Sequence, residues 1–385
     1  MGYQNPQYTD TAPTSILRPD VLSKILMKNP DVATLTAVLM MTKKNNLTVK
    51  NPTHTYFEED NLGRFTTCPL PTAAAALGFD VAGGEGWKVQ VGTVIRVPRT
   101  GETMVVSAIT TDSITVTRSW GATAAADLLA NEPLQIIGTA QTEGYSVPVG
   151  GSSSPVEKTA RVQIFSNPFG VTNTMLSTEI YDDMNSYDGK KRKAFIQHMS
   201  DQDTTALWGE INSTGTGATL RKTSTSLNET ITSNVTDFQG LLMAELAFQN
   251  ALLPIFEVGS QHKILVCSAY VANVVSNYST MKLQTNNGET KYGNAIRSYV
   301  FGSGELTIVV ARKSLSGPNS RTSFVVDADN CKRIVLGGNG KSRETQYREF
   351  SSESTKSDQI SGEWFAEAGF YFPQEDSHAK LMNIG

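Results

Sequence analysis

One glycine-rich segment has the composition of a phosphate-binding loop. Residues 337–342 read GGNGKS and follow an apolar run. A complete loop of this type also needs a glycine five residues before Gly340, and that position is Val335. The residues that follow, RETQYREFSSES, lack the apolar periodicity of a helix that could present its amide groups to a phosphate. We therefore predict a glycine-rich turn with an exposed Lys341.

Acidic and histidine side chains offer few metal ligands at a useful spacing. Asp327, Asp329 and Asn330 could give oxygen atoms to a divalent cation, but the glycine and the distal glutamate of a calcium loop are missing. The histidines, at positions 54, 198, 262 and 378, show no i, i+4 spacing and no HExxH pattern. We predict a β-turn at the strand end near Asp327, histidines that pack or face solvent, and no metal site.

Patterns for nucleophilic or acid–base catalysis are also missing. No GxSxG segment is present. The carboxylate pairs Glu58–Glu59 and Asp182–Asp183 are adjacent in sequence, which is typical of solvated faces. Cys68, Cys267 and Cys331 are far apart and odd in number, which argues against a disulfide framework or a zinc knuckle. We expect three small buried thiols, no catalytic residue, no cofactor and no enzymatic activity.

A single dense basic run stands out, at Lys190, Lys191, Arg192 and Lys193. It opens a predicted helix, where cations oppose the helix dipole. Either the run is a solvated helix start, or it contacts an acidic patch or nucleic acid. The conflict with the dipole suggests that these residues meet something outside the helix, or that the helix begins earlier.

Composition limits the class of protein. The 385 residues suffice for two or three compact units, and 39% hydrophobic with 18% charged residues is ordinary for a globular chain. The net charge of -4 argues against non-specific nucleic-acid binding by the whole surface. Residues 1–14 lack the regions of a secretory signal, and we find no apolar run of about 18 residues. We expect a protein from a reducing cytoplasm with no membrane partner.

The clearest local pattern is a β-rich module. Short alternating segments rich in β-branched residues are separated by TGE and TTDS turns, at residues 91–98, 103–109, 113–120 and 134–138. This pattern predicts a meander or a small barrel. Residues 54–67 and 162–175 also look extended. We predict that these two segments pair as the legs of a long hairpin with the module at its tip.

Helical spacing marks the rest of the chain. We predict helices at 20–29, 188–210, 237–251 (ended by Pro254) and about 269–280, and either a helix or a docking segment at 33–42. In the helix at 237–251, the apolar side chains are Leu241, Leu242, Leu246 and Phe248. Strands are predicted at 262–269, 306–312, 322–328 and 333–338, with residues 362–372 as the last strand.

The module and the long helix carry a resemblance to a known family. The run VGTVIRVPRTGETMVVSAITTDSITVTRSWGATAAA (91–126) and IIGTAQTEGYSVP (136–148) resemble a group of tailed-phage major capsid proteins that have a β-rich insertion. The matching residues are Thr100, Gly101, Glu102, Arg118, Gly121, Thr123, Ala124, Gly138, Ala140, Glu143 and Gly144. Trp120, Ala122 and Pro168 depart from the pattern. The resemblance covers roughly residues 80–250 well, and the C-terminal third in outline.

The resemblance implies an α+β protein with the Hong Kong-type capsid fold. It implies an N-terminal arm (1–49) and an extended loop (50–180) that carries an insertion domain at about 76–145. It further implies a peripheral domain (181–235 and 336–385) with a spine helix at about 188–210, and an axial domain (236–335). The basic run at 190–193 then becomes a candidate contact to a neighbouring subunit or to packaged DNA.

The function implied is structural. The chain would self-assemble as hexamers and pentamers into the icosahedral head that encloses the double-stranded DNA of a tailed phage. It would be made in the host cytoplasm and reside in the virion, with scaffold, portal and decoration proteins as partners. No scaffold-like coiled segment precedes the arm, so a separate scaffold is expected.

Three other classes stay open from the residues. Another virion protein, such as a tail tube or decoration protein, would be shorter and β-dominated, against the long helix at 188–210. A β-rich hydrolase acting on polysaccharide would need a carboxylate pair in a cleft. A secreted surface-array protein would need a signal peptide.

Overall fold

The computed structural model describes residues 35–41, 46–59, 63–145, 155–178, 186–278, 283–284, 297–302, 304–338, 341–351 and 357–385. The predicted helix at 20–29 and the pair Asp182–Asp183 lie outside these residues. The helices are α1 (Leu35–Met41), α2 (Asn173–Leu176), α3 (Tyr187–Trp208), α4 (Leu227–Thr230), α5 (Glu245–Phe256) and α6 (Ala269–Ser276). Short 3-10 helices lie at Gly86–Lys88, Gly217–Thr219, Gly317–Arg321 and Glu375–Ser377.

The strands are many and mostly short. In the first half of the chain they are β1 (Asn46–Val49), β2 (Thr53–Glu58), β3 (Phe65–Cys68), β4 (Gly78–Asp80), β5 (Thr93–Arg96), β6 (Thr103–Thr110), β7 (Ser113–Thr117), β8 (Glu132–Thr139), β9 (Val156–Arg161) and β10 (Gln163–Thr172). In the second half they are β11 (Asn212–Thr214), β12 (Arg221–Thr223), β13 (Val235–Asp237), β14 (His262–Cys267), β15 (Leu283–Gln284), β16 (Arg297–Phe301), β17 (Gly304–Val310), β18 (Ser323–Val326), β19 (Lys332–Gly338), β20 (Lys341–Ser342), β21 (Gln346–Phe350), β22 (Gln359–Tyr371) and β23 (Ala379–Met382).

The chain divides into two compact units. Unit 1 consists of residues 1–55 and 159–385, and unit 2 of residues 56–158. Strands β2 and β9 pair as a two-stranded ribbon, and both boundaries between the units fall within these strands. The chain therefore leaves unit 1 and returns to it through a pair of adjacent strands.

Unit 2 is built on a six-stranded sheet in the order β3-β8-β5-β6-β7-β4. Alternate side chains of its strands form one core, which includes Ile95, Met104, Ile114, Val116 and Leu134. The amide of Ala82, just after β4, donates to the carbonyl of Thr67 in β3 at 2.9 Å, so the two outer strands approach each other. The four strands predicted for the β-rich module are confirmed as β5 to β8, and β3 and β4 complete the sheet.

One sheet of unit 1 supports the long helix. It has the strand order β1-β19-β22-β10, with β20 and β21 added to it. Strands β10 and β22 pair antiparallel over ten residues, from Gln163 opposite Ala368 to Thr172 opposite Gln359. Helix α3 packs on this pair, with the rings of Phe195 and Trp364 4.7 Å apart. The predicted helix at 188–210 is confirmed as α3.

This pairing corrects the predicted long hairpin. The segment at 162–175 pairs with β22 rather than with residues 54–67. The partner of β2 is instead β9, the strand that precedes β10. In this pairing Phe165 is buried and Ile164 is 63% exposed, and α3 packs over both strands, with His198 against Phe165 and Phe195 against Trp364. The segment therefore belongs to the sheet under α3, where it pairs over ten residues with β22.

The second sheet of unit 1 lies between two cores. Its order is β13-β23-β18-β14-β17-β16-β15. Along β14, Leu265 and Cys267 enter one core, whereas Val266 enters the other. Along β18, Val325 and Phe324 divide in the same way. Burial on both faces explains why these strands read as continuous apolar runs.

Two predicted elements of unit 1 are corrected. Helix α5 begins at Glu245 rather than at residue 237, because Phe238 and Gly240 donate their amides to Met382 and Asn383 beside β23. The helix also passes Pro254 and ends at Phe256. The predicted strand at 362–372 corresponds to β22, which ends at Tyr371, but it is not the last strand, since β23 follows. The described part of the chain has no helix both long and apolar enough to span a membrane.

Candidate functional site

The basic run lies in the first two turns of α3. The hydroxyl of Ser186 accepts a hydrogen bond from the amide of Gly189 at 3.2 Å and caps the helix, which begins at Tyr187. Asp188 stands in the first turn. The helix thus begins ahead of the basic run, and its own acidic residue complements the positive end of the dipole.

The four cations of the run do not form one patch. The ammonium of Lys191 lies 3.8 Å from the ring centroid of Tyr347, and the backbone carbonyl of Lys191 accepts a hydrogen bond from the Trp364 indole at 3.0 Å. Lys191 is therefore part of the packing between α3 and the sheet. Arg192 and Lys193 are exposed, whereas Lys190 is half-buried. The outward charge of the run belongs to those three residues.

Polar side chains on the buried side of α3 tie other elements to it. The carboxylate of Asp203, fully buried, accepts hydrogen bonds from the amide of Thr36 at 3.0 Å and from the Thr36 hydroxyl at 3.3 Å. It also accepts one from the hydroxyl of Ser314. Asp203 thus connects α1 and the loop after β17 to the long helix, and nothing in the sequence pattern singled it out.

His198 lies one turn before this cluster, between α3 and β10. Its Nδ1 is 2.8 Å from Oδ1 of Asn167, whose amide donates to Asp201 at 2.6 Å. The pKa of His198 is lowered to about 4, mainly by burial, while Asp201 raises it and Arg333 adds to the lowering. The imidazole is therefore neutral near pH 7. It packs edge-on to Phe165, which confirms the prediction of a packing histidine.

Two of the residues that carried the resemblance, Glu102 and Arg118, form an ion pair inside unit 2. Glu102, fully buried, makes a two-pronged ion pair with Arg118, with Nε–Oε1 and Nη2–Oε2 distances of 2.7 and 2.8 Å. Arg118 also donates to the carbonyl of Ala126 at 2.6 Å, and the amide of Ala126 donates back to Glu102 at 3.1 Å. Burial alone would raise the pKa of Glu102, but hydrogen bonds from Arg118, Ala126 and Ser119 lower it overall. The pair fastens the TGE turn to the loop after β7.

Two glycines of the same pattern have geometric reasons. Gly101 has a φ of +75°, which a side chain would strain. A Cβ atom at Gly121 would approach the Thr103 hydroxyl to 2.6 Å. A second ion pair, between Arg99 and Glu132 at 2.9 Å, connects the loop before β6 to β8. These two ion pairs and two glycines fix the loops between the strands of unit 2.

The acidic turn after β18 is built around a buried carboxylate. Asp327 accepts hydrogen bonds from the amide and hydroxyl of Ser260 at 2.8 and 2.9 Å, and its Oδ2 is 3.5 Å from the ammonium of Lys263. Burial raises the pKa of Asp327, but Ser260 and Lys263 outweigh it and lower the pKa overall. The chain does turn at this strand end, but the amide of Cys331 donates to the carbonyl of Asp327, four residues earlier, which makes an α-turn rather than the predicted β-turn.

The remaining candidates for chemistry are dispersed. Strands β19 and β20 pair across the GGNGKS segment, with Gly338 opposite Lys341, and the next described element is β21 rather than a helix. Lys341 is exposed, as predicted. Cys68, Cys267 and Cys331 are free and buried, also as predicted. Among the described residues, no three His, Cys, Asp or Glu side chains are grouped to hold a metal ion.

Large apolar side chains on the surface are the most conspicuous feature left. Phe57, Trp120, Leu241, Leu242 and Leu246 are between 60% and 73% exposed. Of the apolar residues named for the predicted helix at 237–251, Leu241 and Leu242 precede α5, and Phe248 alone is buried. Exposed apolar groups of this size are typical of surfaces that another protein covers.

Comparison with known proteins decides between the open classes. The family model of the SU10 major capsid protein matches residues 5–385. The chain belongs to this family. The interpretation of the sequence as a phage major capsid protein is confirmed. A major capsid protein of Pseudomonas phage PaMx41 is 28% identical over 163 residues, which are 42% of this chain and 38% of that relative. The chain thus matches well under two thirds of the length of this relative.

Solved structures similar to this capsid protein show its fold. The capsid of a native GTA particle has a TM-score of 0.51 at 9% identity and covers 96% of each chain. The capsid of an empty GTA particle has a TM-score of 0.51 at 8% identity and covers 98% of each chain. The α+β, Hong Kong-type capsid fold expected from the sequence is confirmed.

Proposed function

We propose that this capsid protein is the shell-building subunit of a tailed-phage head. Many copies form hexamers and pentamers that close into an icosahedral shell around double-stranded DNA. The match of the capsid family to residues 5–385 carries this proposal. The role is structural, and no catalytic step is required for it.

The surface of the chain supports self-association. Side chains such as Leu241, Leu242 and Leu246 are close in sequence and are 69%, 73% and 68% exposed. Contact with a second copy would remove this apolar area from water, and each copy both gives and receives such surface in a closed assembly. Individually weak contacts also allow errors to be corrected while the shell grows.

The parts of the chain are assigned by the same proposal. The arm is residues 1–49, and the extended loop is residues 50–180 with the insertion at about 76–145. The peripheral domain is residues 181–235 and 336–385 with α3 as its spine helix, and the axial domain is residues 236–335. The arm and the loop are the parts that would reach neighbouring copies.

Other partners follow from the same role. Lys190, Arg192 and Lys193 would contact an acidic patch of a neighbouring subunit or the packaged DNA. A separate scaffold, a portal and decoration proteins would act during or after closure. The protein would be made in the host cytoplasm and reside in the virion.

Negative-stain electron microscopy with light scattering on the purified protein tests the proposal. Hexamers, pentamers or closed particles are expected. A monomer that never associates, even with a crowding agent or phage scaffold, would contradict it.

A further inference from the structure

Helix α5 has an exposed side that carries no charge. Its residues Phe248, Leu252 and Ile255 are buried in one of the cores of unit 1. The exposed residues of the helix are Leu246, Ala247, Asn250, Leu253 and Pro254. Leu246, Asn250 and Leu253 follow one another at spacings of four and three, so they lie on one side of the helix. We call the five exposed residues the outer face of α5.

The outer face differs from the exposed side of an ordinary surface helix. Leu246 is 68% and Leu253 is 48% exposed. On α3, by comparison, the exposed residues include Arg192 and Lys193. A surface helix normally presents charged and polar residues to water, whereas a helix that is apolar on all sides is normally buried. The composition of α5 therefore fits a helix that is covered on both sides.

The charges closest in sequence lie off the outer face. Glu245 is the single charged residue of α5. Its carboxylate accepts hydrogen bonds from the hydroxyl of Tyr299 at 3.0 Å and from the side-chain amide of Gln249 at 3.2 Å, so it is turned towards β16. Glu257 follows Phe256, the last residue of the helix. A charged partner would thus meet no opposite charge on the outer face.

Asn250 makes the outer face complementary to itself. It lies between Leu246 and Leu253 along the helix and has the one polar side chain of the outer face. A carboxamide contains both donor and acceptor groups, so two asparagines can satisfy each other. Between packed helices, a single asparagine also fixes the register of the pair. The same face of a second copy therefore matches both the apolar groups and the amide.

We propose that the outer face of α5 in one copy packs against the outer face of α5 in a second copy. This contact rests on the proposed shell-building function, which brings many identical copies together, and it names one of the contacts that the shell uses. The leucines leave water, and the two Asn250 side chains hydrogen-bond to each other. Because Asn250 lies between the leucines, it is at the centre of the contact whichever way the second helix runs.

Disulfide cross-linking tests the contact directly. Asn250→Cys places a thiol at the centre of the outer face, and the natural cysteines Cys68, Cys267 and Cys331 are buried. A disulfide needs Cα atoms within about 7 Å, so mild oxidation of closed particles should link at least about half of the chains as dimers on a non-reducing gel. The control is Asn273→Cys, which changes an exposed asparagine of α6 and should give less than about a tenth as many dimers.

Substitution of the two leucines tests the same contact through assembly. Leu246→Glu with Leu253→Glu places carboxylates on both sides of the contact, and the yield of closed particles should fall at least about tenfold through desolvation and like-charge repulsion. Leu246→Met with Leu253→Met keeps the face apolar at similar volume, and its yield should stay within about twofold of wild type. Circular dichroism of each variant confirms that the chain is folded before particles are counted.

The outcomes separate this contact from the shell-building function. If wild type never assembles, the proposed function itself fails. If the glutamate variant assembles as well as wild type, the outer face is not a contact and the function stands. If the glutamate variant is blocked but closed particles of Asn250→Cys give no more dimers than those of Asn273→Cys, a different surface covers α5 and the pairing of the two outer faces is wrong.

Discussion

At the residue scale, the ion pair between Glu102 and Arg118 explains a sequence pattern that had no chemistry of its own. Sixteen positions separate the two residues, yet their side chains meet at 2.7 Å inside unit 2. A buried carboxylate needs compensation by donors, and here it receives them from one guanidinium and two backbone amides. The ion pair therefore joins the TGE segment, which contains Glu102, to the TVTR segment, which contains Arg118.

Removing one partner should be costly. Arg118→Ala leaves the Glu102 carboxylate buried without its cation, and we expect a loss of about 3–5 kcal/mol in the stability of unit 2. Urea unfolding of the unassembled chain measures this loss. Glu85→Ala is the control, because it breaks the more exposed Glu85–Lys88 pair and should cost less than about 1 kcal/mol. Equal losses of stability in the two variants would show that the buried pair contributes no more than the exposed one.

The stability of the chain should fall with pH through His198. The folded state keeps the imidazole neutral with a pKa of about 4, whereas the unfolded chain has the ordinary value of 6.5. Its contribution is therefore complete above pH 6.5 and is lost as the pH falls from 6.5 towards 4, up to about 3 kcal/mol. His198→Gln should remove this part of the pH dependence in urea unfolding between pH 7 and pH 4. An unchanged slope in the variant would assign the acid sensitivity to other groups.

At the scale of elements, the periodicity of apolar residues predicted where strands and helices lie, but it could not predict which strands pair. Strands β5 to β8 and helix α3 were predicted because their apolar residues repeat with periods of two and about 3.6. The partner of β10 could not be predicted, because β22 lies almost 200 residues away and both β9 and β10 look extended. The predicted helix start at residue 237 was wrong for a related reason. The leucines of residues 237–244 suggest a helix, but hydrogen bonds to Met382 and Asn383 hold this segment outside α5.

The site was predictable only in part. The basic run is visible in the sequence, but its division into one packed and three outward cations depends on Tyr347, which approaches from β21. Asp203 joins segments more than a hundred residues apart in the chain, so no local spacing could reveal its role.

The two roles within the basic run can be separated on α3. Reversal of Lys190, Arg192 and Lys193 to glutamate should block closed particles while circular dichroism stays unchanged, because acidic residues suit a helix N-terminus. Lys191→Met should instead leave assembly intact and cost about 1 kcal/mol or less, by loss of the cation over the Tyr347 ring. Electron microscopy and thermal unfolding distinguish these effects. Normal shells from the triple reversal would make the run a solvated helix start.

At the scale of the whole molecule, the assembly should depend on the arm more than the fold does. Residues 1–19 precede every element described here, so their deletion should leave a folded chain. If the arm holds neighbouring copies together, the truncated protein should no longer close shells. Circular dichroism and light scattering on the purified protein measure the two properties separately. Shells of normal size and yield from the truncated chain would refute a role of the arm in closure.

The paired strands β2 and β9 have a consequence for how this chain can be rearranged. They bring the point of departure from unit 1, at residue 55, next to the point of return, at residue 159. A segment whose two ends are neighbours can be excised or exchanged without stretching the chain on either side. Unit 2 could therefore be replaced by a short turn. A foreign domain with adjacent termini could also be inserted at the same two positions. The ribbon would then serve as a fixed attachment point for displaying new sequences on every copy of the shell protein.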